Sequence, residues 1–184
     1  GATEVDLGTF GPENVTAYEL GAKADLFESR LRIDLAVFRS RFEDIQLVQR
    51  ELVGGDSLGT LFIQNGGEAR IDGGELELTA LLGRLRLAGS LGLVDARYTR
   101  LNPNVVDVTL DSEFLNTPAA TATLAADWPI PMEFGSIDLH LDYAWRDDVP
   151  FAYEPHSSAR QEAYGLGNAR AQARLAQTGL DLSL

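Results

Sequence analysis

SIDLHLDYAWR, residues 136–146, is the stretch that decides the fold: Ile137, Leu139, Leu141, Tyr143 and Trp145 alternate without a break with Asp138, His140, Asp142 and Arg146. Successive side chains of an extended strand leave opposite faces, so this is a strand with one apolar and one polar side. Its length also matters, because a tilted strand of about 9 to 11 residues crosses the hydrocarbon of a bilayer. Working outward, the same pattern recurs. Leu31, Ile33, Leu35 and Val37 oppose Arg32, Asp34 and Ala36; Leu85, Leu87, Gly89, Leu91 and Leu93 repeat it; and Ala120, Ala122, Leu124, Ala126 and Trp128 are interleaved with Thr121, Thr123 and Asp127.

The connections carry a second rhythm. Phe27 to Arg30, Leu82 to Arg84, Pro129 to Gly135 and Gln177 to Gly179 are short or fairly short, whereas Val48 to Gly59, Thr99 to Thr117 and Asp147 to Gln161 are long. Tight turns at one end and long loops at the other are the asymmetry of a transmembrane β-barrel. A soluble sheet with one wet face shares the period of two but has no reason to keep that asymmetry. The aromatics agree: Trp128 ends a strand at the short-turn side, and Tyr98, Tyr143 and Trp145 lie near the long-loop side, as two interfacial girdles require.

Composition narrows the classes further. A chain of 184 residues that is 45% hydrophobic is not a disordered one. Twenty-eight acidic against 15 basic residues leave a net charge of -13, which repels nucleic acid. There is no cysteine, so disulfide frameworks, zinc-thiolate sites and thiol chemistry are absent. Phe114 to Ala126, among the longest uncharged stretches, falls well short of the roughly 18 to 20 residues that a spanning helix needs. The chain starts at Gly1 with no basic-then-apolar leader, and it is expected to be a fragment.

Three stretches resemble the TonB-dependent outer-membrane receptors. Pro12 to Phe27 followed by Arg30 to Gln46 is similar to that family's strand pair, with Pro-Glu, Tyr-Glu-Leu-Gly, a short turn and a strand ending near Asp-Ile-Gln. Asn65, Gly67, Ala69, Gly73 and Glu75 match its Asn-x-Gly-x-Ala-x-x-x-Gly-x-Glu signature, and Ala88 to Thr99 resembles the Gly-Ser-x-Gly-x-x-Asp-Ala-x-Tyr strand that follows. Weaker matches are Thr117 to Ala119 and Tyr164 to Leu175. The resemblance implies an all-β fold: an antiparallel up-and-down transmembrane β-barrel. Residues 1–184 would then be an open curved sheet of seven to eight strands from a barrel of 22, lacking the plug and the last strands. It also implies the outer membrane of a Gram-negative bacterium, contact with the TonB complex through the missing N-terminal plug region, outer-membrane lipid around the barrel, and uptake of a scarce small nutrient. A ferric siderophore stands first among the cargoes, with cobalamin or a saccharide as others. The competing class is a self-contained eight-stranded outer-membrane barrel with a structural or adhesion role.

The sequence has no Gly-rich phosphate loop, no Gly-x-Ser-x-Gly elbow and no His-Glu-x-x-His helix, and the expectation is a carrier with no catalytic residues, cofactor or metal. His140 lies between Asp138 and Asp142, but alternate residues of a strand are about 7 Å apart, which favours a wet wall over a metal site. His156 falls in a long loop, and Asp107, Asp111 and Glu113 resemble a calcium loop in charge alone. Glu75, Glu77, Asp138, His140, Asp142, Arg170 and Arg174 all fall on polar strand faces and are the candidates for the lumen lining. Between Leu61 and Leu82 the apolar parity changes, from Leu61, Ile63, Ala69 and Ile71 to Leu76, Leu78, Ala80 and Leu82. That change predicts a β-bulge at or near Gly73-Gly74.

Overall fold

The computed structural model describes residues 9–51, 60–133, 135–153, 159–175 and 180–183. Its strands are β1 (Asn14–Leu26), β2 (Leu31–Glu51), β3 (Thr60–Leu82), β4 (Leu85–Leu101), β5 (Ala120–Met132), β6 (Gly135–Arg146), β7 (Val149–Pro150), β8 (Arg160–Gln161), β9 (Tyr164–Leu175) and β10 (Leu180–Ser183). Eight of them form one antiparallel sheet in the order β1-β2-β3-β4-β5-β6-β9-β10, and β7 and β8 pair as a separate ribbon in the loop between β6 and β9. Seven long strands and a short eighth agree with the seven to eight that the resemblance implies. Among the described residues β1 and β10 share no ladder, so the sheet is open.

Register turns the alternation of single strands into a continuous apolar surface. Leu20, Val37, Gly74 and Leu93 stand in one row, Ala22, Leu35, Leu76, Leu91, Ala122, Trp145 and Gly165 in the next, and Leu26, Leu31, Ala80, Leu87, Ala126, Leu141 and Ala169 nearer the short turns. This face carries Leu20 at 74%, Leu124 at 58% and Leu141 at 56% exposure, a contiguous apolar area far larger than a soluble monomer leaves in water. Tyr143 covers Gly165 on the same face, where a Cβ would run into its ring.

The predicted bulge at Gly73-Gly74 is wrong. Gly73 pairs regularly with Phe38 and Val94, and Gly74 with Val37 and Leu93. Gly73 is small for another reason: the Phe38 ring lies over it and leaves no room for a Cβ. The parity change is real but occurs at the long-loop end. There Asp44 is the extra residue of β2, Gly66 the extra residue of β3 and Thr99 the extra residue of β4. Asp44 takes a left-handed φ of 56°, and Gly67 has φ 141° with its Cα against the Arg100 carbonyl. Between Ala69 and Leu78 the pairing is unbroken, so Ala69 and Ile71 share the polar side with Gly73, while the extra Gly66 returns Ile63 to the side of Leu76 and Leu78.

The bulges turn Ile45 and Leu47 onto the same side as Ala69 and Tyr98, and these four with Val108 make a small buried core beneath the β4–β5 loop. Tyr98 is thus not a girdle residue: it is 5% exposed and stacks on Phe114 at 4.4 Å. Tyr18, at 65% exposure beside Arg39 on the apolar side, takes the interfacial position instead. The β5–β6 connection is also shorter than expected, since Met132 already pairs with Gly135. Pro129 and Pro131 fit inside β5 because both have the same parity and the β4–β5 ladder stops at Asp127, so neither missing N–H interrupts a bond to β4. His156, the expected Gln177–Gly179 turn and residues 52–59 lie outside the described residues.

Candidate functional site

The polar face is built row by row from the register. Arg86, Asp127, His140 and Arg170 stand directly opposite one another on β4, β5, β6 and β9. Asp127 is the hub of this row. It accepts from Arg86 Nη1 at 3.3 Å and lies 2.6 Å from His140 Nδ1, while His140 Nε2 approaches Asp142 at 3.3 Å. Asp142 in turn accepts from Asn168 Nδ2 at 2.7 Å. The result is a chain of polar contacts running over four strands on one face, with a recess of about 240 Å³ beside it whose lining includes Asp127, Asp138, His140, Arg170 and Gln172 together with Trp128, Pro129 and Leu139. One strand turn away, Arg174 Nη2 approaches Asp138 at 3.9 Å.

The seven sequence candidates therefore separate into two groups. Asp138, His140, Asp142, Arg170 and Arg174 come together on β6 and β9. Glu75 and Glu77 stand on β3, three strand spacings or about 14 Å from β6, opposite Ala36 and Asp34 of β2. Asp34 faces Lys23 at 3.9 Å and Arg32 at 3.8 Å, so the Glu77 side of the wall is a mixed-charge surface. Sequence reading missed Asp127 as the partner of His140, and Arg86 as the partner of Asp127. Their parity was legible, but the register that sets them opposite His140 depends on turn length. Among the described residues no group of three His, Cys, Asp or Glu side chains has the arrangement of a metal site.

A second concavity lies in the loops. Asp107, Thr109, Asp111, Glu113, Tyr153 and Arg160 are among the lining of a cleft of about 480 Å³ between the β4–β5 and β6–β9 loops. The loop acids are thus part of a shaped surface. Arg160 joins the two loops by donating to Glu113 Oε2 at 2.8 Å and to Asp148, and the Asn116 N–H donates to the Pro150 carbonyl at 3.0 Å. The Arg160 guanidinium holds the Asp148 carboxyl below the usual carboxylate range. Below the cleft, Tyr98 donates its hydroxyl to Tyr153 at 3.3 Å.

The family signature residues occupy neither concavity. Asn65, Gly67 and Ala69 among them lie at the bulges, whereas Gly73 and Glu75 stand in regular pairing. Asn65 accepts from the Gly11 N–H at 2.6 Å and donates to the Gly11 carbonyl at 3.1 Å and the Asp44 carbonyl at 2.7 Å. Glu13 accepts from the Gln46 N–H at 2.8 Å, and Asn102 donates to the Asn65 carbonyl at 2.8 Å. The segments containing Pro-Glu, Asp-Ile-Gln and Asn-Gly-Gly are therefore tied into one knot that sets the parity of β1 to β4.

One sheet layer with a broad apolar face, a polar face, tight turns at one end and packed long loops at the other defines a piece of an outer-membrane β-barrel. The chain belongs to the TonB-dependent receptor-like β-barrel family, whose model matches residues 1–184. Members of this family are receptors and transporters of the outer membrane of Gram-negative bacteria. A metal-pseudopaline receptor, CntO of Pseudomonas aeruginosa, is 30% identical over 125 residues, or 67% of this chain and 16% of the receptor. The siderophore receptor PiuA of Acinetobacter baumannii superposes with a TM-score of 0.71 at 17% identity, covering 98% of this chain and 25% of its own. The ferric yersiniabactin uptake receptor FyuA of Yersinia pestis gives 0.68 at 18%, covering 95% and 24%. The chain thus spans about a sixth of the curated relative and a quarter of those solved receptors.

Proposed function

We propose that this segment is part of the wall of a TonB-dependent transporter that imports a metal held by a small organic chelator, a ferric siderophore foremost. In this reading the 184 residues are a partial β-barrel domain of a 22-stranded barrel, whose plug, elsewhere in the protein, engages TonB. The apolar face meets lipid. The polar face, with Glu75, Glu77, Asp138, His140, Asp142, Arg170 and Arg174, lines the lumen and contacts the plug; Arg86 and Asp127 join that set. No covalent chemistry is assigned to it. The observation that carries the reading is the open eight-strand sheet with no β1–β10 ladder among the described residues, matched over nearly its whole length by a quarter of two siderophore receptors. That openness also speaks against a self-contained eight-stranded barrel.

The test is made on the intact receptor. Cells expressing it should accumulate radiolabelled ferric chelate only when the inner-membrane TonB system is energised, and the purified receptor should bind the chelate. Uptake of cobalamin or a saccharide instead would keep the transporter and reassign its cargo. Binding and uptake of none of the three would overturn the proposal.

A further inference from the structure

On the apolar side of the sheet, beyond the row of Val37, Gly74 and Leu93, three arginines stand in line. Arg41 of β2 is directly opposite Arg70 of β3, and Arg70 is directly opposite Arg97 of β4. Neighbouring strands are about 4.8 Å apart, and like charges set opposite one another destabilise a sheet. The adjacent rows relieve part of this, with Asp72 and Asp95 on one side and Glu43 opposite Glu68 on the other. Asp72 accepts from Arg39 at 2.5 Å, Asp95 pairs with Arg97, and Glu68 accepts from Arg100 at 2.9 and 3.0 Å. Arg41 has no partner among the described residues. Arg70 Nε lies 3.0 Å from Asp72 Oδ2, yet its N–H finds no hydrogen-bond acceptor. Arg41 is thus left without a carboxylate partner among the described residues, beside an Arg70 that shares Asp72 with Arg39.

Their depth says what they meet. The row lies four residues beyond Val37, Gly74 and Leu93, about 9 Å along the membrane normal for a strand tilted near 45°. Between the two stands the row of Tyr18 and Arg39, and tyrosine marks the membrane–water interface. The arginine row is therefore at headgroup depth, at the long-loop end. Guanidinium groups bind phosphate through paired N–H donors, and basic clusters at this depth attract anionic headgroups. We propose that Arg41, Arg70 and Arg97 form a site for the phosphate of a lipid headgroup in the leaflet on the long-loop side. This rests on the reading that the apolar face meets lipid.

The intact receptor, stripped of lipid in a zwitterionic detergent, is titrated with diphosphoryl lipid A and with its dephosphorylated form, and bound lipid is counted by native mass spectrometry. The phosphorylated form should bind, and Arg41→Gln, which breaks no ion pair in the described structure, should weaken it about tenfold. Arg41→Gln combined with Arg97→Gln should weaken it further, while Arg30→Gln at the short-turn end should leave it unchanged. Equal binding of both lipid forms, undiminished binding by the arginine variants, or full displacement by inorganic phosphate at matched phosphate concentration would overturn the headgroup site. Leu141→Arg separates this from the underlying orientation. If it is strongly destabilising in vesicles while the arginine variants bind normally, the site alone fails; if it costs nothing, the lipid-facing assignment fails first.

Discussion

Asn65 holds three chain segments with one side chain, and its loss is expected to be felt well beyond its own strand. Asn65→Ala removes one acceptor and two donors that serve Gly11 and Asp44, which should cost about 1 to 3 kcal/mol in urea unfolding of the intact receptor in vesicles. Asn65→Asp should be no milder, since it sets a carboxylate against the Gly11 and Asp44 carbonyls; a neutral result for either would mean that the knot is incidental. At the middle of β6, neighbouring residues test the two faces. Leu141→Arg should cost roughly 2 to 4 kcal/mol, the range for arginine at the bilayer midplane of such barrels. His140→Arg should cost far less, because Asp127 and Asp142 already flank the position and accept from a cation as well as from an imidazole. Equal penalties would invert the assigned orientation.

Strand parity is an element-scale property, and the bulges show how it is controlled. Without the extra residues Asp44, Gly66 and Thr99, the projecting ends of β2 and β3 would keep Ile45 and Leu47 on the membrane side; with them, those side chains make a core under the loop. Gly67→Ala should therefore cost about 1 to 3 kcal/mol, because it combines φ 141° with a collision at the Arg100 carbonyl. Gly74→Ala, with only ordinary contacts around its Cα, should be close to neutral by the same unfolding measurement. The loops behave as a second element. Arg160→Gln should release the β4–β5 loop from the β6–β9 loop, read as faster amide exchange at Asn116 and Phe151, whose N–H groups bond across or within these loops. Acid should do the same: because Asp148 titrates below the ordinary carboxylate value, its contact with Arg160 is intact above about pH 4 and is lost as the pH falls through the lowered value. Protection factors at these two amides, taken against the intrinsic exchange rate at each pH, that do not fall between pH 5 and pH 2 in the wild type would remove the ion pair from the account.

For the whole molecule the open edges dominate. In hydrocarbon each unpaired backbone group costs several kcal/mol, so a sheet ending at β1 and β10 has no stable way to span a bilayer alone. The 184-residue segment refolded by itself in detergent should aggregate or remain heterogeneous. A monodisperse, heat-modifiable monomer would show that the edges find one another and would restore the small barrel.

What sequence by itself determined was everything that depends on neighbours along the chain. A period of two in Ile137 to Trp145 assigns each side chain a face, and turn lengths assign the two ends, because both follow from the geometry of one strand or one hairpin. Even Tyr98 was legible: its even number places it with Arg86 and Ser90 on the polar side, against its aromatic character. What only the tertiary structure decided was what stands opposite what. The Gly73-Gly74 pair invited a bulge on sequence grounds, yet Gly73 is needed by the Phe38 ring, a residue 35 positions away that becomes its neighbour through β2–β3 register. The Asp127–His140 contact, the knot around Asn65 and the row of Arg41, Arg70 and Arg97 arise in the same way. Each joins residues from different strands, and cross-strand distances are set by register, which one bulge shifts for every residue beyond it.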